Sequence, residues 1–157
     1  MQKITPFLWF DTQAEEAARF YVSIFKNSRI GDIARYGDAG PGPKGQVMTI
    51  GFELDGLHFT ALNGGPMFKF TEALSLQIDC VDQTEIDTLW EKLTADGGEP
   101  GPCGWLKDRF GLSWQIVPAN MGQLVGGADP AKSQRAMQAM MKMGKLDIAA
   151  LVAAREG

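Results

Sequence analysis

The side chains able to do chemistry are few and mostly neutral. The chain has one histidine, His58, and two cysteines, Cys80 and Cys103. His58 has two readings, a strand histidine paired with a neighbour or a general base. Cys103 lies between Pro102 and Gly104. As a nucleophile it needs a lowered pKa and a base nearby, and His58 is the one imidazole on offer. Its other reading is a buried thiol. Hydrogen-bonding residues alternate with apolar ones in three places: His58 and Thr60, Ser75 and Gln77, Ser113 and Gln115. A period of two puts each pair on one face of a strand. Trp105 stacks on a ligand or packs in a core; the sequence leaves its facing open. Hydroxyls and amides hold a small polar or aromatic molecule through hydrogen bonds. They are weak ligands for a transition metal, which wants imidazole, thiolate or carboxylate.

Two further patterns carry no chemistry. Gly40 to Gly45 satisfies the spacing G-x-G-x-x-G, but it opens no helix, and Pro41 and Pro43 remove amide donors that a phosphate needs. Glu15, Glu16, Asp82, Glu85 and Asp87 fall in first helical turns, where the helix dipole favours negative charge.

The elements that must position these groups follow from periodicity. Asp108 to Gly111 reads as a tight turn, with Asp at the first position and Gly at the fourth. After it Leu112, Trp114 and Ile116 share one strand face, Ser113, Gln115 and Val117 the other, and Pro118 ends the strand. Earlier in the chain, residues 3–10 read as a strand. Thr12 caps a helix running to about Phe25, with Glu15 completing a capping box. Ala17, Phe20, Tyr21 and Ile24 form its buried stripe. Residues 29–36 make a strand and 37–45 a mobile loop. Residues 46–54 and 57–63 form a hairpin around Asp55-Gly56. The order then recurs: a strand over 74–80, a helix over 83–95 with Ile86, Leu89, Trp90 and Leu93 buried, an extended piece over 99–107, and a strand over 112–118. The two helix stripes superpose at one constant shift, and the hairpins superpose with Thr60 on Gln115. This is an internal repeat of a β-α-β-β-β module. It predicts an α+β domain over 1–120 built from modules 1–65 and 72–120. Phe7, Trp9, Phe59, Ala61, Leu76, Ile78, Trp114 and Ile116 are expected to face the helices, and the polar set the other side.

A helical extension follows over 128–157. Asp129-Pro130 is an N-cap with proline at the first helical position. That helix reaches about Met143, with Gly144 as its C-cap, and Asp147 starts a second. Met137, Met140, Met141, Ile148, Leu151 and Val152 are apolar. They suit a cover for the core or a subunit contact, since Met-rich faces adapt to partners.

The strings CGWLKDRFGLSWQIVP, WFDTQAEEAARFY, ALNGGP and SLQIDCVDQTEIDTLW resemble the glyoxalase / bleomycin-resistance / extradiol-dioxygenase superfamily, the vicinal oxygen chelate proteins. The resemblance is closer to its PhnB-like branch, which carries the label 3-demethylubiquinone-9 3-methyltransferase, and it is dense from about residue 4 to 120. It implies that the paired modules close into a cupped eight-stranded mixed sheet, helices outside and a pocket inside, and that the chain forms a homodimer. The polar set would then line the pocket. The candidate ligand-binding residues are His58, Thr60, Ser75, Gln77, Cys103, Trp105, Ser113 and Gln115. Metal-using members place His or Glu at four inward positions. Counting from the helices and hairpins puts Pro6, Thr60, Ser75 and Gln115 there, so neither a metal nor another cofactor is expected. The functional expectation is a small-molecule-binding protein without the usual metal site. The alternatives are a lyase, isomerase or dioxygenase using a recruited metal or Cys103, and an interaction module acting through the tail. The methyltransferase label fits poorly, because neither strand-to-helix turn carries a glycine.

Composition sets the outer bounds. The 157 residues are 45% hydrophobic, enough for a real core. A net charge of −4 makes no case for nucleic acid. No apolar run is long enough for a membrane span. The N-terminus lacks a secretory pattern, so free thiols and a cytoplasmic location are expected.

Overall fold

Alternating apolar residues between Phe7 and Asn63 build the first sheet. The computed structural model describes residues 2–157. The chain divides into two compact units at Phe70/Thr71. The first contains β1 (Phe7–Phe10), α1 (Ala14–Ile24), β2 (Arg29–Arg35), β3 (Val47–Leu54) and β4 (Leu57–Asn63). The sheet order is β1-β4-β3-β2, with β1 parallel to β4 and the other pairs antiparallel. The β3–β4 hairpin closes where expected: Asp55 (φ 47°) and Gly56 (φ 83°) are both left-handed, as a two-residue hairpin turn requires. Ala14, Ala17, Ala18 and Tyr21 of α1 are buried with Ile50, Phe52, Phe59 and Ala61 of the sheet. Phe52 stacks on Phe59 with ring centroids 5.2 Å apart.

Three local expectations change in this unit. The first strand is four residues long, not eight. Its faces are reversed: Leu8 and Phe10 are buried, whereas Phe7 is 59% exposed. Phe7 pairs in register with Thr60 and Trp9 with Leu62, so Phe7 and Trp9 share the polar face. Trp9 stays half-buried there by donating its indole N–H to the Gly65 carbonyl (2.9 Å) and meeting Phe68 edge-on. Thr12 does not cap α1. The Ala14 N–H is taken by Asn63 Oδ1 at 2.8 Å, reaching over from the end of β4. In the loop after β2, Tyr36 is buried and a side chain on Gly42 would come within 2.3 Å of its ring. Those glycines let backbone lie on an aromatic face.

The second unit repeats the arrangement. It has β5 (Ser75–Cys80), α2 (Gln83–Thr94), β6 (Glu99–Pro100), β7 (Trp105–Lys107) and β8 (Ser113–Pro118), in sheet order β5-β8-β7-β6. β5 runs parallel to β8, as β1 does to β4. The eight strands thus form two four-stranded mixed sheets rather than one hydrogen-bonded sheet of eight. Ile86, Leu89 and Leu93 of α2 are buried, with Trp90 half-buried. Asp82 caps α2 through the Glu85 N–H (2.9 Å) while Glu85 reaches back to the Val81 N–H (2.8 Å).

Three helices follow: α3 (Met121–Val125), α4 (Pro130–Met140) and α5 (Ile148–Glu156). The sequence reading missed α3 and ran α4 three residues too far. Asp129 caps α4 and Asp147 caps α5, as their types demand. Gly144 is no C-cap; its carbonyl accepts the Gly104 N–H at 2.8 Å. Leu146 and Leu151 are fully buried, so the extension covers core. Met137, Met141 and Val152 stay exposed. Among the described residues no helix is long and apolar enough to cross a membrane.

Candidate functional site

The polar face of the second sheet is laid out by strand register. Glu99, Lys107, Ser113 and Ser75 lie side by side across β6, β7, β8 and β5. The next row is Trp105, Gln115 and Gln77. Register partners project from the same face, so the alternation of β8 does gather the expected hydrogen-bonding residues of this module. Most are already engaged. Gln115 Nε2 donates to Ser75 Oγ at 2.9 Å, and Gln77 Nε2 to Asp79 Oδ1 at 2.8 Å. Ser113 is the exception: it is 1% exposed, and its Oγ has no hydrogen-bond partner.

Over this face opens a cleft of about 430 Å³. Pro100, Pro102, Trp105 and Leu106 give it apolar walls, Cys103 and Ser113 contribute to its lining, and Glu72, Glu99 and Lys107 bring the charges. Lys107 and Glu72 form an ion pair. That hydrogen bond holds the Glu72 carboxyl below the usual carboxylate range and the Lys107 ammonium above its ordinary value.

The wall that carries Cys103 is held from the C-terminal extension. Cys103 (φ 57°) and Gly104 (φ 85°) are both left-handed. A Cβ on Gly104 would lie 2.9 Å from the Ile116 carbonyl oxygen, so glycine is needed there. The Cys103 and Gly104 N–H groups donate to the carbonyls of Met143 and Gly144, each at 2.8 Å. Cys103 Sγ lies 3.9 Å from Met141 Sδ. A thioether neither takes a proton at neutral pH nor stabilises a thiolate, and this unit contains no histidine. Cys80 is buried, and burial pushes its thiol up to about 12. Both cysteines are free.

Of the eight expected residues, three line the cleft: Cys103, Trp105 and Ser113. Ser75, Gln77 and Gln115 share its sheet face without forming its wall. His58 and Thr60 belong to the first unit. His58 Nδ1 is 4.0 Å from Glu53 Oε2, and Glu53 is held below the usual carboxylate range by its hydrogen bond to Arg29. Sequence reasoning missed Lys107, Glu72 and Glu99. Continuing the period of two from Trp105 would have found Lys107. Glu72 and Glu99 carry no local signal, because they reach the cleft from outside β7 and β8.

The four positions counted from the helices and hairpins, Pro6, Thr60, Ser75 and Gln115, carry no imidazole, thiolate or carboxylate. Register sets Phe7 beside Thr60 and Gln77 beside Gln115, so the counted positions Pro6 and Ser75 are not the register partners of the other two. Phe7 offers no donor, and Ser75 and Gln115 are neutral and hydrogen-bonded to each other. Among the described residues no three His, Cys, Asp or Glu side chains are placed to hold one metal ion.

Comparison with known proteins agrees with this architecture. No curated protein matches the chain. A solved structure from Bacillus cereus, described as 3-demethylubiquinone-9 3-methyltransferase, PhnB protein, is 40% identical, covering 74% of this chain and 99% of that one, with a TM-score of 0.66. A protein of Pseudomonas aeruginosa shares the fold at 20% identity, covering 75% of this chain and 98% of that one, with a TM-score of 0.61. A glyoxylase/bleomycin resistance protein/dioxygenase domain from Frankia is 16% identical, covering 75% and 93% of the two chains, with a TM-score of 0.48. Residues 2–117 match the family described as 3-demethylubiquinone-9 3-methyltransferase, and with the Bacillus cereus likeness this shows that the chain belongs to that family, in its PhnB-like branch.

Proposed function

We propose that this chain is a small-molecule-binding protein of the glyoxalase/bleomycin-resistance type, with its ligand site in the second-unit cleft. One observation carries the reading: Ser113 Oγ is buried, belongs to a cleft-lining residue and lacks a hydrogen-bond partner. Leaving a buried hydroxyl unpaired costs roughly 1–3 kcal/mol. A local rule broken in this way, inside a concavity, is where function is expected. The cleft volume of about 430 Å³ suits a small molecule. Trp105 offers a flat apolar surface beside it, and the Ser113 hydroxyl is the group left to hydrogen-bond a ligand oxygen. Ser75, in the same row, and Gln77 and Gln115, in the next, extend the polar face around it. His58 and Thr60 are the proposed counterparts on the first module, and a second copy of the chain is the proposed macromolecular partner. Methyl transfer is not part of the reading.

Ser113→Ala tests it. Removing an unpaired buried hydroxyl should leave the free protein as stable as before or more so. The same change should abolish most of the thermal shift produced by aromatic carbonyl compounds in a fragment screen. Undiminished ligand shifts in Ser113→Ala would sink the proposal.

A further inference from the structure

Resting on that reading of the cleft, we infer that it takes an uncharged, ring-sized ligand bearing one hydrogen-bonding oxygen and turns away the matching acid. The charges around the cleft are unbalanced: two carboxylates, Glu72 and Glu99, against one ammonium, Lys107. The ammonium is already engaged by Glu72. Glu99 stands opposite Lys107 in the β6–β7 register and adds to its field, but the ion pair of Lys107 is made with Glu72 and not with Glu99. An incoming carboxylate would have to break the Lys107–Glu72 pair, leaving Glu72 unpaired, or enter beside two like charges. Further in it would meet one neutral hydroxyl, Ser113, and the apolar walls of Pro100, Pro102 and Trp105. Burying a charge against such walls is expensive without a paired partner. A ketone, amide or phenol oxygen has no such cost. It gives Ser113 its missing hydrogen bond while the ring lies along the Trp105 indole. Rejection thus comes from unpaired like charge, as selective sites commonly achieve it. The directions in which Glu72 and Lys107 are shifted agree, since both favour the charged pair at neutral pH.

The test uses two probes of matched size, 2-acetylnaphthalene and 2-naphthoate, titrated into the full chain by calorimetry and ligand-observed NMR at pH 7. The expected result is binding of the ketone, with the carboxylate weaker by about tenfold or more. Glu72→Gln frees Lys107, and Glu99→Gln removes the second carboxylate. Both side chains are exposed, so both variants should fold, and each should shrink the ketone-to-acid ratio. Equal or tighter binding of 2-naphthoate to the unaltered chain, or a ratio unmoved in both variants, overturns the charge inference and leaves the cleft reading standing. If neither probe binds at millimolar concentration, the cleft reading falls and this inference falls with it.

Discussion

Asp108 shows how much one residue can do beyond its local signal. Its sequence position between Lys107 and Gly111 marks a turn, and the turn forms, with the Gly111 N–H on the Asp108 carbonyl at 2.9 Å. The residue is also only 2% exposed. Oδ1 accepts the N–H groups of Phe110 (2.9 Å) and Leu112 (3.1 Å), and Oδ2 accepts the Trp114 indole N–H (2.8 Å). Turn chemistry is written in four consecutive letters; the reach to Trp114 depends on burial, which no short window reveals. Asp108→Ala leaves three donors without this acceptor and should cost roughly 3 kcal/mol or more in urea unfolding. Asp108→Asn should recover only part of that, because whichever amide orientation it adopts places an N–H against a donor. The two cysteines separate as cleanly. At pH 8 iodoacetamide should modify half-buried Cys103 and spare Cys80 until the chain is unfolded. Cys80 also sets a pH trend. Its folded value of about 12 lies above the ordinary 9.0, chiefly through burial. Below 9 both folded and unfolded thiols are protonated and the folded state loses nothing. As pH rises from 9 toward 12 the unfolded chain ionises first, so stability should fall over that window. Subtracting the profile of Cys80→Val isolates this contribution; identical profiles would refute it.

At the scale of elements, the sequence spoke clearly wherever the partner was local. Asp82, Asp129 and Asp147 all cap the helices that follow them. Thr12 looked the same and is not a cap, because Asn63, far along the chain, supplies the oxygen for α1. Asn63 is 5% exposed, and its Nδ2 also donates to the Val47 carbonyl at 3.0 Å. It therefore ties the start of α1 to the edge of the hairpin. Thr12→Ala should change stability by no more than a few tenths of a kcal/mol, as surface changes do. Asn63→Ala should cost about 2–3 kcal/mol, since it strands one buried N–H and one buried carbonyl. Comparable losses for both variants would mean that α1 is capped from Thr12 after all. The reversed faces of β1 have a related cause. The strand is four residues long and apolar throughout, so its alternation carries no sign, and only pairing with β4 reveals that Leu8 and Phe10 point inward. The β8 strand, with Ser113 and Gln115 between apolar neighbours, did carry a sign and could be placed from its letters.

At the scale of the whole molecule the internal repeat was legible, because both modules keep the same apolar helix stripe and the same hairpin spacing. Their sheets share one strand order, each with a single parallel pair. Less legible was the role of the extension, whose Met143 and Gly144 carbonyls hold the Cys103 wall through backbone alone; backbone partnership leaves no trace in residue type. The exposed Met137, Met141 and Val152 on that extension suit a contact between copies. Light scattering at micromolar concentration should give a dimer mass, and Met141→Lys should shift it toward monomer; a monomer in the unaltered chain ends that idea. The family description raises the remaining question, whether this chain binds S-adenosylmethionine. Nucleotide cofactors in open α/β sheets sit at the carboxyl ends of several parallel strands, where a glycine turn lets the phosphate or ribose approach backbone at a helix N-terminus. Each sheet here has only one parallel pair, so neither offers that switch point. The turn before α1 is Asp11-Thr12-Gln13, and the first amide of the helix, the Ala14 N–H, is taken by Asn63. Before α2, the Val81 N–H is answered by the Glu85 carboxylate and the Glu85 N–H by that of Asp82. With these donors used internally, each helix start offers a ribose or carboxylate fewer amides. Calorimetry with S-adenosylmethionine should therefore give no saturable heat at micromolar concentrations. One-to-one binding would overturn that expectation, and methyl transfer to a demethylated quinone precursor would replace the small-molecule-binding proposal with the activity its family description states.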